Sequence, residues 1–396
     1  MYISSKPSFK LQQLLIKTNL NPQMDIFPLS HSKHYLFFSG RYALAAGIRA
    51  LGLTGDEIVL MPSYTCGAEI DPIKHEGLGI RYYRVKQNLM VDVGDLRSKI
   101  DRKTKAILIT HYLGFPQPLD EIGAICKQYG IFLIEDCAHA FLSNDKDKPL
   151  GSFGDISIFS FRKTLPIPNG GALVINNEDI QFEYMTLKPN FFSTYYVVAE
   201  FLKHQTSEEM SRPIASAFFK ILNEGIFWSS FFMRLLLRIG HRIIRDRGLY
   251  LAYPGGSLFR KEIAQWGVST VSKKILNACN YQRIKDIRRR NFDFYLSYFR
   301  KDKRVSLPFK DLSDGVCPLF FPIIVEKREF LYRALKARGI AGHDWWSSFH
   351  PDVPWDDFPE AYSLKMNMLG LPIHQDLTSG HLHKVLEEFE NSYEES

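Results

Sequence analysis

Two short segments of the chain contain residue types that could act together in a reaction. The first has a carboxylate at the end of an apolar run. Asp136 closes an apolar run in the sequence Ile134-Glu135-Asp136-Cys137. Ligands of open α/β sheets bind beyond the carboxyl ends of the strands, so a carboxylate there would face a cleft. It could keep a ring nitrogen protonated, which turns a heterocycle into an electron sink. Asp136 could equally cap a following helix, and the residue alone does not separate the two roles.

The second segment places a lysine in a predicted loop. Lys163 follows Ser160, the last residue of an apolar run, and the Gly170-Gly171 pair allows close backbone approach before the next run. A lysine at the carboxyl edge of a sheet can be desolvated and its pKa lowered, as Schiff-base chemistry requires. Taken alone, however, a lysine in a loop is more often a solvated surface residue.

A third segment, Ser39-Gly40-Arg41, has the small residues of a turn that opens a helix containing Leu44 and Ile48. The free amides at a helix start, together with the helix dipole, bind phosphate. Such turns are common, so this segment gains weight only in combination with the other two.

The elements that must position these residues alternate along the chain. From about residue 37 to 175, short β-rich runs alternate with helix-like segments, and five runs read as strands: EIVLMPSYT, AILITHYL, IFLIEDCA, ISIFSF and GALVIN. Between the second and third runs, helical spacing puts Leu119, Ile122 and Ile125 on one side of a helix that Gly130 ends. The sequence therefore predicts an α/β fold with a mostly parallel sheet flanked by helices.

The rest of the chain has different patterns. Residues 178–265 are rich in aromatic and basic residues, without strand alternation, and predict a mostly helical insertion. From residue 266, a long helical pattern through ILNACNYQRIKDIRRRNFDFYLSYF precedes a strand-like run, LFFPIIV, and two helices, KREFLYRALKARG and SGHLHKVLEEFEN. We therefore predict an N-terminal segment (1–35), a large α/β domain core (36–177), the insertion (178–265) and a smaller C-terminal α+β domain (266–396).

The composition is that of a globular protein, with 45% hydrophobic and 23% charged residues. The formal net charge of +7 is spread along the chain, which suits anionic small molecules better than nucleic acid. Five cysteines without a paired C-x-x-C spacing indicate neither a disulfide framework nor a metal site. Because charges interrupt the N-terminus before a signal-like apolar stretch, we expect a cytoplasmic protein.

One stretch of the insertion, residues 226–245, predicts a basic amphipathic helix. Its polar and apolar faces would consist of Ser230, Arg234, Arg238, His241 and Arg245 on one side, and Ile226, Phe227, Phe231, Leu235 and Ile239 on the other. Such a helix could lie on an anionic membrane surface, could guide a substrate diphosphate, or could be an ordinary packed helix with a solvated polar face. Its charges argue against a membrane-spanning helix.

Taken together, these segments resemble the DegT/DnrJ/EryC1/StrS aminotransferases, a family of fold type I enzymes that use pyridoxal 5′-phosphate. The resemblance runs over about residues 36–176 and again from about residue 266, with the matching pieces FFSGRYAL, GDEIVLMPSYT, DRKTKAILITHYLGFPQPLDEI, LIEDCAHA, GSFGDISIFSF, NGGALVIN, RGIAG and MLGLPIHQDLT. It implies transfer of an amino group, from a donor such as glutamate, to a keto sugar that is commonly nucleotide-linked, in surface polysaccharide or secondary metabolite biosynthesis. It also implies a homodimer.

The resemblance assigns the catalytic residues by position. Asp136 matches the aspartate that contacts the pyridine nitrogen, His139 matches the Gln or His beside the ring, and Lys163 matches the lysine that binds the cofactor covalently. His111 lies in the match to the family's H-x-x-G-x-P stretch, where a structural role is expected.

The implied cofactor-binding residues show departures from the family pattern. The amides of Gly40 and Arg41 match the phosphate-cradling turn, and Ser160 matches the phosphate-binding serine, but the interval from Ser160 to Lys163 is two residues shorter than usual. Cys66 stands where the family has an aromatic stacked on the ring, with Tyr64 nearby. A tyrosine-rich stretch that reaches across the dimer is not recognisable in SLFRKEIAQWGVST, so no cross-subunit ligand is assigned.

Two alternatives remain open at this stage. A related sugar dehydratase would share the fold and the cofactor, but those relatives typically have a histidine at the position of Lys163. A non-catalytic regulator or scaffold could retain the fold, and the insertion and the missing ring aromatic are compatible with that role.

Overall fold

A computed structural model describes residues 2–9, 26–190, 193–195, 197–199, 201–202, 259–344 and 346–394. Its centre is a seven-stranded sheet with the strand order β1-β9-β8-β5-β4-β2-β3. The strands up to residue 175, including the separate hairpin β6–β7, are β1 His34–Phe37, β2 Ile58–Pro62, β3 Gly79–Tyr83, β4 Thr104–Thr110, β5 Phe132–Asp136, β6 Asn144–Asp145, β7 Lys148–Pro149, β8 Ile156–Ser160 and β9 Gly171–Ile175.

The sheet is mostly parallel, as predicted. The neighbours β3, β2, β4, β5 and β8 run parallel, whereas β9 pairs antiparallel with both β8 and β1. All five runs predicted as strands form strands of this sheet, at β2, β4, β5, β8 and β9. The two strands at the sheet edges, β1 and β3, were not predicted from the sequence, because they are short and three residues of each are only half-buried.

Four helices of this region are α1 Gly40–Ala50, α2 Ile70–His75, α3 Val93–Ser98 and α4 Leu119–Tyr129. Helix α1 is largely buried on the sheet, where a Cβ atom on Gly47 would lie 2.7 Å from Ile156 Cδ1. Helix α4 matches the prediction: Leu119, Ile122 and Ile125 are buried, and Gly130 ends it with φ of 62°.

The C-terminal part contains the helices α5 Thr270–Ala278, α6 Tyr281–Phe299, α7 Arg328–Ala337, α8 Pro359–Asn367 and α9 Ser379–Glu394, and a two-stranded antiparallel sheet of β10 Phe321–Ile324 and β11 Met368–Leu371. The predicted long helical pattern is wrong as one helix, because the chain breaks at Cys279 and Asn280. The Asn280 side chain accepts a hydrogen bond from the Arg283 amide and so begins α6. Helix α8 and strand β11 were not predicted as elements.

Contacts join the C-terminal part to the sheet and to the first residues. The backbone of Ile3 pairs with the segment around Ile340, and the Ser8 amide donates to Asp376. Arg288 of α6 is fully buried and donates to the carbonyl of Thr164, next to Lys163. The predicted basic helix at 226–245 lies outside the described residues. Within the described ranges, no helix has both the length and the apolar character needed to cross a membrane.

Candidate active site

The carboxyl edge of the sheet gathers the residues that the sequence singled out. Asp136 is the last residue of β5, and Ser160 is the last residue of the neighbouring strand β8. A single 3-10 turn, Phe161–Lys163, follows β8 at once, so Lys163 stays at the same edge. Because parallel strands end on the same side of a sheet, sequence-distant residues meet here.

Lys163 and His139 form the closest pair of the site. Lys163 Nζ lies 2.7 Å from His139 Nε2, and the Leu113 amide donates to His139 Nδ1 at 3.4 Å. The pKa of His139 is well below its usual value, first because the ring is buried and then because the cation of Lys163 is close. The imidazole is therefore neutral and forms a hydrogen bond with the amine of Lys163.

Asp136 is buried within the same cluster, with 1% of its surface exposed. Its Oδ1 accepts a hydrogen bond from the Ala138 amide at 2.8 Å, and the residues that follow form turns, so it caps no helix. Burial raises the pKa of Asp136 to about 7, the carboxylate of Glu69 adds to the rise, and Lys163 opposes it. A cation at this carboxylate, such as a protonated ring nitrogen, would lower that pKa by charge attraction.

The start of α1 packs closely on the edge of the sheet. A Cβ atom on Gly40 would lie 3.1 Å from the Phe159 carbonyl and 3.5 Å from Ser160 Cβ, and one on Gly171 would lie 2.4 Å from the Gly40 nitrogen. Ser39, the residue before the helix, is extended and makes no side-chain cap. The first amides of a helix lack partners within the helix, so α1 presents donors beside Ser160.

Two arginines, Arg41 and Arg162, add positive charge near the start of α1. The pKa of Arg162 is lowered, first by burial and then by the neighbouring charge of Arg41. Like charges held close together at a helix start are typical of an anion-binding site. Arg162 was not singled out in the sequence, although it lies inside the shortened interval between Ser160 and Lys163.

Cys66 lies in the site but provides no ring for stacking. Burial raises the pKa of the Cys66 thiol to about 12, and the Glu69 carboxylate adds to the rise, so the thiol stays protonated. An aromatic ring comes instead from the C-terminal part. The ring of Trp346 lies 5.1 Å from those of both His139 and Tyr64, and its centroid is 5.9 Å from Lys163 Nζ.

Trp346 is held by a buried lysine that the sequence analysis also missed. Lys365 of α8 donates to the carbonyls of Trp346 at 2.8 Å and Ser348 at 2.7 Å. Its ammonium lies 4.8 Å from the centre of the Trp355 ring, and burial lowers the pKa of Lys365 to about 8. Trp346 has a left-handed backbone with φ of 52°, so the loop depends on such contacts. No motif signalled either residue.

His111 has the structural surroundings that were expected of it. Its Nε2 lies 2.9 Å from Glu135 Oε2, and the same carboxylate accepts hydrogen bonds from the amides of Gly151, Phe153 and Gly154. With Cys137, these two residues place possible metal ligand atoms within 4.8 Å of one another. Because the Glu135 oxygens are already occupied by backbone amides, the cluster fixes the loop around Gly151 rather than a ligand.

Comparison with known proteins confirms the family resemblance over the first part of the chain. Residues 30–194 match the model of the DegT/DnrJ/EryC1/StrS aminotransferase family. The chain is 37% identical over 145 residues to GDP-perosamine synthase of Escherichia coli O157:H7, a match that covers 36% of this chain and 40% of that protein. It is 33% identical over 147 residues to UDP-4-amino-4,6-dideoxy-N-acetyl-beta-L-altrosamine transaminase of Campylobacter jejuni, covering 36% and 39%. The chain thus spans about two fifths of the length of these curated relatives.

Solved structures confirm the fold. Helicobacter pylori PseC, an aminotransferase of pseudoaminic acid biosynthesis, superimposes with a TM-score of 0.66 at 15% identity and covers 100% of both chains. The PLP form of Spr1654, a sugar aminotransferase of Streptococcus pneumoniae by its description, gives a TM-score of 0.67 at 16% identity, over 100% of this chain and 99% of that one. The fold is therefore that of the fold type I aminotransferases.

Proposed function

We propose that the protein is a pyridoxal-phosphate-dependent aminotransferase that aminates a keto sugar, with Lys163 as the lysine that binds the cofactor. The observation that carries this proposal is the cluster of Lys163, neutral His139 and buried Asp136 at the carboxyl edge of the sheet. In relatives that dehydrate sugars this lysine is typically a histidine, so Lys163 favours transamination.

The donor set of the site fits the cofactor. Lys163 offers an amine for an aldehyde carbon, Asp136 offers a carboxylate for a pyridinium nitrogen, and the start of α1 with Ser160 offers donors for a phosphate. The charges of Arg41 and Arg162 match the two negative charges of that phosphate. When bound, pyridoxal phosphate supplies an electron sink that stabilises a carbanion at the Cα atom of an amino acid.

The residues of this chain have distinct tasks in such a reaction. Asp136 would hold the ring nitrogen, and a carboxylate in this buried place would keep that nitrogen protonated. Lys163 would hold the cofactor through its amine and, when that amine is free, would move a proton at Nζ, and His139 would orient the amine through their hydrogen bond. The Trp346 ring lies beside this pair, 5.1 Å from the His139 ring and 5.9 Å from Lys163 Nζ.

The substrate class rests on the relatives and on charge. Two of the matched proteins are named for nucleotide-linked sugars, a GDP and a UDP derivative. We infer a nucleotide-linked keto sugar as acceptor and glutamate as donor. The net charge of +7 suits a diphosphate-containing acceptor.

Absorbance tests the function directly. We expect the purified protein to bind pyridoxal phosphate with a visible band that bleaches on addition of glutamate and returns with a keto-sugar nucleotide. Lys163→Ala is the control that should show neither change. A protein that binds the cofactor but whose spectrum no amino donor alters would be a scaffold, and the proposal would be wrong.

A further inference from the structure

One buried lysine has no part in the reaction described above. Lys365 of α8 is 0% exposed, and its ammonium donates to the carbonyls of Trp346 at 2.8 Å and Ser348 at 2.7 Å. A buried cation is costly unless such partners compensate it, and the faces of aromatic rings also attract a cation. Three rings lie around the ammonium, with their centres at 4.8 Å for Trp355, 5.5 Å for Phe349 and 5.8 Å for Tyr64.

The two carbonyls belong to one short segment, residues 346–348. Because a single ammonium binds both of them, it fixes the backbone between them. The segment needs such contacts, since Trp346 has a left-handed backbone with φ of 52°, which a bulky residue keeps only when its surroundings hold it there. A second contact in the segment is the hydrogen bond from the Ser347 hydroxyl to Asp344 at 2.9 Å.

The Trp346 side chain connects this segment to the reacting groups. Its ring centre lies 5.1 Å from that of His139 and 5.9 Å from Lys163 Nζ. The rings of Tyr64 and Tyr112 lie 5.1 Å and 5.8 Å from it. A change in the backbone at Trp346 would therefore move a ring that borders the pair of Lys163 and His139.

We propose that Lys365 is a positioning residue: by binding the carbonyls of Trp346 and Ser348, its ammonium fixes the Trp346 ring beside Lys163, where the ring is a wall for the amino donor. An aromatic ring contacts a ligand through specific orientations, so its position has to be set in advance. The part of this inference that concerns the donor rests on the proposed function. The fixing of the ring is a property of the protein without its cofactor.

The first test needs no cofactor and measures acrylamide quenching of Trp346 fluorescence in the apoprotein. The Trp346 signal is the difference between each protein and the same protein with Trp346→Phe. Lys365→Met keeps a side chain of similar size but removes the donors and the charge, so Trp346 should become more accessible to acrylamide. Lys336→Met, which removes an exposed lysine of α7 that also lies near a ring, is the matched control and should behave as the wild type does.

Equal quenching of Trp346 in Lys365→Met and in the wild type would refute the fixing of the ring. Thermal unfolding shows whether Lys365→Met folds. If it does not fold, the wild-type signal decides the question. A Trp346 signal that is protected from acrylamide in the folded wild type supports the fixing, and one that is quenched as readily as free tryptophan refutes it.

The second test measures the half-reaction with L-glutamate, through the loss of the visible band of the holoprotein at increasing glutamate concentrations. Lys365→Met should weaken the apparent affinity for glutamate about two- to tenfold, the effect of one aromatic contact, and should change the limiting rate less. In a Trp346→Ala background, Lys365→Met should have little further effect, because both changes remove the same contact.

Wild-type affinity in Lys365→Met would refute the positioning role at the site. Equal losses from Lys365→Met in both backgrounds would refute action through Trp346, since a purely structural role would lower affinity whether or not that ring is present. If the wild type itself has no visible band or does not respond to glutamate, the proposed function fails and the part that concerns the donor fails with it. Acrylamide quenching of the apoprotein still decides the fixing of the ring.

Discussion

At the scale of single residues, two lysines approach the same site, and only one of them has the surroundings of a cofactor-binding residue. Lys163 bonds a neutral imidazole and lies near Asp136, whereas Lys365 is fully engaged with two backbone carbonyls. Both amines are close to Trp346: Lys163 Nζ lies 5.9 Å from its ring centre, and Lys365 Nζ lies 2.8 Å from its carbonyl oxygen. Reduction of the cofactor–lysine bond can show which of the two lysines binds the cofactor.

We predict that borohydride reduction of the holoprotein attaches the cofactor to Lys163. Lys163→Ala should lower the transamination rate by at least about 10²- to 10⁴-fold, the usual contribution of a positioned proton-transfer group. Its unfolding temperature should stay near that of the wild type, because Lys163 is only half-buried and makes one side-chain hydrogen bond. Peptide mapping of the reduced adduct provides the check, and an adduct on Lys365 would show that the assignment is wrong.

A second residue-scale prediction concerns Asp136. Asp136→Asn should lower kcat by about 10²-fold or more, because a fixed charge next to a developing charge is lost. Cofactor retention should change much less, since Lys163, Ser160 and the start of α1 remain. Steady-state kinetics and an absorbance titration on the same preparation measure the two effects. Turnover close to the wild-type rate would contradict the assigned role.

Several site residues could be predicted because they end strands or begin a helix. Asp136, Ser160 and Gly40 have such positions, and Lys163 comes one turn later. Trp346 and Lys365 could not be predicted, since their roles depend on which side chains meet across the fold. The shortened interval before Lys163 was a local sign of something unusual at Arg162. Arg41, the second positive charge beside it, lies far away in sequence.

At the scale of elements, helix α6 holds the lysine turn against the C-terminal part. Arg288 donates to the carbonyls of Thr164, Pro318 and Leu319, and it is 1% exposed. Gln375 also donates to the Thr164 carbonyl, at 3.3 Å. The backbone next to Lys163 is therefore fixed by donors from two distant segments of the chain.

We predict that Arg288→Ala destabilises the protein by about 3–5 kcal/mol, the usual cost of removing one member of a buried polar cluster. Several carbonyls would be left buried without this donor, and the lysine turn would loosen. Urea unfolding measures the loss, with Arg290→Ala, an exposed arginine of the same helix, as the matched control. An Arg288→Ala variant as stable as the control would mean that these hydrogen bonds contribute little to the free energy of unfolding.

The elements themselves were predictable where a pattern is local. Helix α4 has an apolar stripe and a terminal glycine, and its bounds were anticipated. The break between α5 and α6 was missed because both helices share the same periodicity and only the cap at Asn280 separates them. Edge strand β1 was missed because its pairing with β9 is made by residues more than a hundred positions away.

At the scale of the whole molecule, the segment after β9 leaves large apolar side chains on the surface. Met185 is 84% exposed and Leu187 is 51% exposed. In the same stretch, the backbone of Leu187 pairs with that of Trp266 in a parallel bridge. Exposed apolar residues close together in the chain often mark an interaction surface. Symmetric pairing is the commonest assembly of soluble enzymes, so a second copy of this chain is the partner that we expect.

We predict that the active protein is a homodimer and that this stretch contributes to the contact. Sedimentation velocity over a range of protein concentrations should give a dimer for the wild type. Met185→Glu combined with Leu187→Glu should shift it toward monomer, because charge is placed where apolar surface would be buried. Phe330→Glu, a change at another exposed apolar residue of helix α7, is the control and should leave the dimer intact. A wild type that sediments as an active monomer would refute the dimer, whereas a dimer unaffected by the double change would move the interface elsewhere on the molecule.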